Sequence, residues 1–246
     1  MGRAKEIIIK VIPASVANPF VKKHHYSGKV VQNSNLHFGA FLDNKLHGVL
    51  SFGPSMFKKE LQGLVEGTGW NDFIELNRMA FDDYLPRNSE SYCISKAIML
   101  IKKNAPHIKW VVSFADGCQC GDGTIYRASN FVLTGITKNK TILEFPSGLR
   151  IANITLTGHF ELDIVKKQCE YFGVPHKYRT VKEWLDIGKG TIKPVDGYML
   201  RYIYFIDKSC KDRLTVPIIP FSKIDEIGAG MYKGAKITLA ERHGGK

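Results

Sequence analysis

No stretch of the 246 residues stays apolar for the ~18 positions a bilayer-spanning helix requires; the longest apolar runs, such as Ile7 to Ile12, have the length of a strand. A membrane protein is not expected. The opening Met-Gly-Arg-Ala-Lys-Glu is charged but has no apolar stretch of signal-peptide length, so export is not expected either. Cysteine is sparse. Cys93, Cys118, Cys120, Cys169 and Cys210 make an odd count without the Cys-x-x-Cys spacing of a zinc or redox motif, and read as reduced thiols in a cytosol. Internal repeats and low-complexity segments are absent. Acidic residues are few: 23 Asp and Glu face 35 Lys and Arg, a formal charge of +12. Each cation laid on a phosphate releases condensed counterions, so this surplus favours a polyanionic partner, nucleic acid first, over a merely basic soluble chain. What the chain does have is core material, 44% apolar and 11% aromatic residues, enough for one large core or two modest ones.

Ile7 to Ile12 reads as a buried strand ended by Pro13, and Ala14 to His24 as a helix leading into the loop His24-His25-Tyr26-Ser27-Gly28. Leu36 to Leu42 and Leu46 to Phe52 are apolar runs joined by Asp43-Asn44-Lys45, residues that tolerate a tight hairpin. After a glycine-rich connection, Phe73 to Phe81 reads as a half-buried strand. Helix-start residues in Pro86-Arg87-Asn88-Ser89-Glu90-Ser91 precede Ile94, Ala97, Ile98 and Ile101 at helical spacing. Trp110 to Ala115 reads as a strand, Thr124 to Ser129 as a short helix, and Phe131 to Thr137 and Thr141 to Phe145 as strands. Two inserted helices follow: Phe160 to Phe172, stopped by Gly173 and Pro175, and one opened by the capping box Thr180-Val181-Lys182-Glu183 and ending at Gly188. Tyr198 to Ile206 alternates into a last strand, and the prolines and glycines beyond Lys208 predict an irregular tail. The expected class is α+β, α/β-like, as one domain over residues 1–207 with an insertion at about 146–197 and a C-terminal extension over 208–246.

His25 and Tyr26, flanked by Lys22, Lys23 and Lys29, offer a proton acceptor near neutral pH and a ring that can stack on a base or donate a hydrogen bond. The alternative is a helix end whose histidines complement the dipole while Tyr26 packs on the sheet. Asp116 follows a strand, where ligands of α/β sheets collect, and can accept the proton of an attacking amine; it can equally belong to an ordinary Asp-Gly turn. Ser113 is either a donor to a reacting carbonyl or a satisfied strand serine. Asn77 and Arg78 are adjacent in a strand and point to opposite faces unless a bulge intervenes, with Arg78 the expected carboxylate or phosphate partner. Asp116, Cys118, Cys120 and Asp122 mix hard and soft ligands without histidine, so no metal is expected. Tyr171, Tyr178 and Trp184 interleave with lysines of the insertion, either as a base-stacking surface or as packing, which is the expectation for Trp184.

The segment Lys109 to Thr137, with its Asp116-Gly117 turn, Tyr126 in a short helix and Phe131 opening a strand, resembles the second half of the GNAT acyltransferase fold. The hairpin, the strand Phe73 to Phe81 and the next helix match the first half in order, so the resemblance covers Ile7 to Phe145. It implies a mixed central sheet flanked by helices, in which the strand before the short helix splays to admit the donor. It also places Tyr126 where these enzymes keep a proton donor for the leaving group, core packing being its other role. The phosphate loop departs from the usual Gly-x-Gly or Gly-x-Ala pattern. Arg87, with Asn88, Ser89 and Ser91 at the helix start, is expected to hold an anion, but Glu90 adds negative charge and disfavours acetyl-CoA.

A narrower likeness lies in His25-Tyr26-Ser27-Gly28, Gly48-Val49-Leu50-Ser51-Phe52-Gly53, Glu75-Leu76-Asn77-Arg78-Met79, Pro86 to Ser91, Ser113 to Gly117 and Gly123-Thr124-Ile125-Tyr126-Arg127-Ala128. In order, these strings resemble bacteriophage Mom proteins over Pro13 to Phe145. The resemblance implies conversion of adenine in phage DNA to N6-carbamoylmethyladenine, protection from restriction, and action in the host cytoplasm. Double-stranded DNA is then the expected partner, with Lys22, Lys23, Lys29, Lys58, Lys59 and Arg127 as its contacts and the target base flipped out of the duplex. A glycine-derived donor such as glycyl-tRNA is expected, which makes tRNA a second partner; iron is implied by the family alone. The competing expectations are a conventional N-acyltransferase acting on a protein or small-molecule amine, and a non-catalytic DNA-binding accessory.

Overall fold

The computed structural model describes residues 3–244. The chain forms two compact units, Met1–Ile136 together with Leu200–Lys246, and Thr137–Met199. The inserted unit therefore begins nearer Thr137 than the expected 146, and the tail beyond 207 is part of the larger unit.

The larger unit opens with β1 (Ile8–Ile12) and α1 (Ala14–His24), separated by Pro13, whose fixed φ and missing N–H suit the start of a helix. The strands β2 (Leu36–Leu42) and β3 (Lys45–Gly53) form the expected hairpin. Its turn is two residues, Asp43 and Asn44 at φ 50° and 61°, the left-handed pair that matches strand twist. After the short α2 (Lys58–Gln62) comes β4 (Phe73–Phe81), then α3 (Ser89–Asn104), β5 (Trp110–Gly117), α4 (Thr124–Ala128) and β6 (Val132–Lys138).

The smaller unit holds β7 (Ile142–Glu144), β8 (Arg150–Ala152), α5 (Asn153–Gly158), α6 (Asp163–Tyr171), α7 (Val181–Gly188) and β9 (Lys193–Pro194). Its three strands pair in the order β8-β7-β9 over a core of Leu143, Phe145, Leu156, Val165 and fully buried Trp184. The Thr180–Glu183 capping box is formed in both directions, at 3.2 Å and 2.7 Å. α6 starts at Asp163 rather than at the expected Phe160, because Phe160 joins the apolar packing and lies before the helix.

The chain then returns as β10 (Tyr198–Phe205), and the larger unit ends with α8 (Ser222–Glu226), β11 (Met231–Tyr232), β12 (Ala235–Lys236) and α9 (Leu239–Gly244). The main sheet has the order β1-β2-β3-β4-β5-β10-β6. β1 to β4 are antiparallel neighbours, while β4 and β5 run parallel. This is the mixed α+β sheet that the GNAT resemblance implies. Two of its features make room for a site. First, β4 and β5 pair only over Phe73–Glu75 and Trp110–Val112, so the two strands are unpaired with each other from Leu76 and Ser113 onward. Second, the β3–β4 register steps from Ser51↔Arg78 to Phe52↔Leu76, which leaves Asn77 as the extra residue of a bulge.

Candidate functional site

Where β4 and β5 part, a cavity of about 510 Å³ opens in the larger unit. Among the residues lining it are His25, Tyr26, Asn77, Arg78, Asp116 and Tyr126. Tyr26 reaches it from the loop after α1, and its hydroxyl donates to Asp116 Oδ2 at 2.9 Å. Asp116 is the penultimate residue of β5, and its carboxylate receives three further donors: Cys118 N–H and Gln119 N–H on Oδ1 at 3.0 and 3.2 Å, and Gln119 Nε2 on Oδ2 at 3.1 Å. Burial of the phenol and the neighbouring carboxylate push the Tyr26 pKa well up. Tyr26 is therefore a neutral donor, with 52% of the residue exposed at the cavity. With four donors engaged, Asp116 orients Tyr26 and is not an open proton acceptor.

His25 is the C-cap of α1, its N–H on Val21 O at 2.9 Å, and its ring lies 4.4 Å from that of Tyr26. Burial first, then the charge of Arg78, pull its pKa down to about 4. Ser27 N–H donates to Nδ1 at 3.2 Å, which assigns the ring proton of the neutral form to Nε2. The proton acceptor expected near neutral pH is thus a hydrogen-bond donor through Nε2 at that pH.

On β5, Ser113 Oγ donates to Leu76 O at 3.0 Å and lies 2.8 Å from Tyr126 Oη. With its one proton committed to Leu76, Ser113 accepts from the phenol. Both side chains are buried, and burial pushes Tyr126 up to about 12, so it stays protonated. Burial followed by the Asp116 charge also raises Cys120, which keeps this cavity-lining cysteine a thiol. The bulge brings Asn77 and Arg78 to one cavity although they are adjacent in sequence. Arg78 Nε donates to Lys29 O and one terminal nitrogen to Asn77 O, at 3.1 and 2.8 Å, which holds the fork in place. Its burial leaves the guanidinium short of solvent and suited to an anionic or carbonyl ligand.

The model of the Mom protein family matches residues 6–223. The chain belongs to the Mom family. The methylcarbamoylase Mom of Escherichia phage Mu is 33% identical over 217 residues, covering 87% of this chain and 82% of that one. Solved structures with a similar course include the IAA acetyltransferase of Bacillus cereus, with a TM-score of 0.43 at 11% identity over 81% of this chain and 99% of that chain. The polyamine N-acetyltransferase of Drosophila melanogaster gives a TM-score of 0.44 at 8% identity, covering 81% of this chain and all of the other.

Other residues expected in this Mom-family site lie elsewhere. Arg87, Asn88 and Ser91 line a separate cavity of about 440 Å³ with Lys5 and Tyr204. Ser89 is buried and, like Ser91, spends its hydroxyl on a backbone carbonyl, Pro86 O for Ser89 and Asn88 O for Ser91. Asn88, at φ 67°, makes no side-chain cap on α3, and of this loop Glu90 is the residue that lines the main cavity. Lys22, Lys23, Lys29 and Lys59 are exposed. Lys58 is not: it is 8% exposed, its Nζ 4.9 Å from the centre of the Trp70 ring and 5.6 Å from that of Phe73. Arg127 donates to Thr124 Oγ1 at 2.9 Å and to buried Asp122 at 3.5 Å, and lies over the Phe221 ring. Both cations hold the fold together, which corrects their expected place on nucleic acid. In the smaller unit Tyr171 and Tyr178 are exposed and Trp184 is core.

Sequence reasoning missed Met231, Tyr232 and Lys233, which line the cavity from the tail, and Gln119, which braces Asp116. Among the described residues no group of three or more His, Cys, Asp and Glu side chains is placed to hold a metal ion. Nor is any described helix long and apolar enough to cross a membrane.

Proposed function

We propose that this Mom-family chain is a transferase that modifies the exocyclic N6 of adenine in phage DNA, in the host cytoplasm, giving a carbamoylmethyl product that shields the genome from restriction. The observation that carries this reading is the cavity between the parted ends of β4 and β5, where two protonated phenols, a neutral imidazole and a held guanidinium converge. The +12 charge suits a nucleic-acid substrate, and the phage Mu relative is a methylcarbamoylase. A flipped adenine enters beside the half-exposed Tyr26 ring, at an unstacking cost of about a few kcal/mol offset by new stacking and edge hydrogen bonds.

The donor in this reading is a glycine ester such as glycyl-tRNA. N6 attacks the glycyl carbonyl, the ester C–O bond breaks, and one proton moves from N6 to the departing ribose oxygen. Tyr126, kept protonated by burial, turns its proton from Ser113 to the departing oxygen and regains one from N6. His25 Nε2–H and Arg78 face the carbonyl oxygen as it gains charge. The glycyl amine then displaces the original exocyclic nitrogen at C6. No atom is lost in this step: the old N6 becomes the amide nitrogen of the carbamoylmethyl group.

Mass spectrometry of nucleosides from cells producing the chain tests the product, and purified protein with labelled glycyl-tRNA and duplex DNA tests the donor. Glycine label on adenine is the expected result. Equal labelling from acetyl-CoA alone overturns the donor in favour of a conventional acyltransferase, and DNA binding without base change makes the chain an accessory.

A further inference from the structure

The tail expected to be irregular ends in a built element. β11 and β12 form a hairpin, Met231↔Lys236 and Tyr232↔Ala235, turned by Lys233 and Gly234 at φ 46° and 80°. It lies beyond residues 6–223 matched by the family model. Three hydrogen bonds, two between backbones and one to a side chain, fasten it to the loop after β5. Asp122 N–H donates to Met231 O at 3.1 Å, Met231 N–H donates to the buried Asp122 carboxylate at 3.1 Å, and Gly234 N–H donates to Cys120 O at 2.7 Å. Glycine suits position 234, whose φ of 80° strains other residues and where a Cβ would lie 3.0 Å from Gln119 O. Met231 is buried under the hairpin, whereas Tyr232 is 55% exposed and Lys233 is exposed beside it, its Nζ 5.7 Å from the centre of the Tyr232 ring.

All three residues line the cavity that holds Tyr26 and Asp116. The site therefore has an exposed phenol ring on each of two walls, Tyr26 from the loop after α1 and Tyr232 from the tail. An aromatic face next to a lysine, at the mouth of a cavity in a chain of charge +12, has the chemistry of a strand-gripping edge: the ring takes a base and the ammonium takes a phosphate. The rigid turn and its three links present both groups without the entropy loss of ordering a free loop on binding.

We propose that this hairpin is a DNA-holding rim, with Tyr232 stacking on a base next to the extruded adenine and Lys233 pairing with the adjoining phosphate. This rests on DNA being the substrate, as proposed above. Tyr232 and Lys233 are positioning residues in it and take no part in acyl transfer.

The test uses the full chain with Tyr232→Ala, Tyr232→Phe or Lys233→Ala, each checked for an unchanged melting temperature. Binding to an adenine-containing duplex is measured across a salt series, and modified adenine is counted over a range of DNA concentrations. Tyr232→Ala should weaken DNA binding by roughly five- to a hundredfold, the loss falling on KM, with Tyr232→Phe restoring it. Lys233→Ala should reduce the slope of log affinity against log salt by about one. If the wild-type chain binds DNA and modifies adenine while both alanine variants match it in affinity, salt slope and KM, the rim is overturned and the proposed function stands. If the wild-type chain neither binds DNA nor changes adenine, the proposed function falls and the rim with it.

Discussion

The two halves of the β4–β5 pair make opposite uses of the same strands. In the first half, Phe73–Glu75 is hydrogen-bonded to Trp110–Val112, and the rings of Phe73 and Trp110 stack at 4.2 Å with only 7° between their planes. Leu61, Leu64, Ile203 and Phe205 close over them. In the second half the strands are no longer paired with each other, and polar residues line the gap: Asn77, Arg78, Asp116 and Tyr126, the last bonded to buried Ser113. A sheet that stayed paired throughout would satisfy more backbone groups but would leave no room for a ligand. The closed half is what lets the open half be polar, because it fixes the strand ends from which the polar groups project.

The largest effect expected from breaking this contrast lies in the closed half. Trp110→Ala removes a fully buried indole and should cost about 3–5 kcal/mol in urea unfolding, while the molecules that remain folded keep their activity. The open half should show the reverse. Tyr126→Phe leaves Ser113 bonded to Leu76 O, so stability should fall by only about 1 kcal/mol, but adenine modification per folded molecule should drop roughly a hundredfold. Loss of stability without loss of rate would erase the division. The smallest effect is a pH dependence. His25 has a lower pKa folded, about 4, than its ordinary 6.5, so below pH 6.5 the unfolded chain takes up a proton that the folded chain refuses. Its contribution is complete above pH 6.5 and declines as pH falls toward 4. Unfolding followed from pH 7 to 4 should therefore be less steep in His25→Gln than in wild type, and matching slopes would place the titrating group elsewhere.

Much of the fold was legible because periodicity and turn chemistry are local. The Asp43-Asn44 turn, the span Phe73–Phe81 and the Thr180–Glu183 capping box each depend on residues a few positions apart. The strings holding His25, Tyr26, Asn77, Arg78, Asp116 and Tyr126 pointed to residues that do meet in one cavity, while Ser113 lies buried behind it, bonded to Tyr126. What could not be read was decided by distant neighbours. Nothing local to Asn77 announces a bulge, since the register is set by β3 across from it. Lys58 and Arg127 are cations by composition, but Trp70 covers the first and Phe221, from the tail, the second. The loop at Arg87 turns toward Lys5 and Tyr204, partners from opposite ends of the chain. The Met231–Lys236 hairpin is too short for a periodicity signal and is defined by its docking on Asp122 and Cys120.

β10 takes its place between β5 and β6 although the whole Thr137–Met199 unit separates it from β6 in the chain. On the ribosome, then, the strand that carries Asp116 emerges with one flank bare and keeps it bare until Tyr198–Phe205 has been translated. A nascent chain arrested inside the inserted unit would display two unsatisfied sheet borders, a form suited to clumping and to chaperone capture.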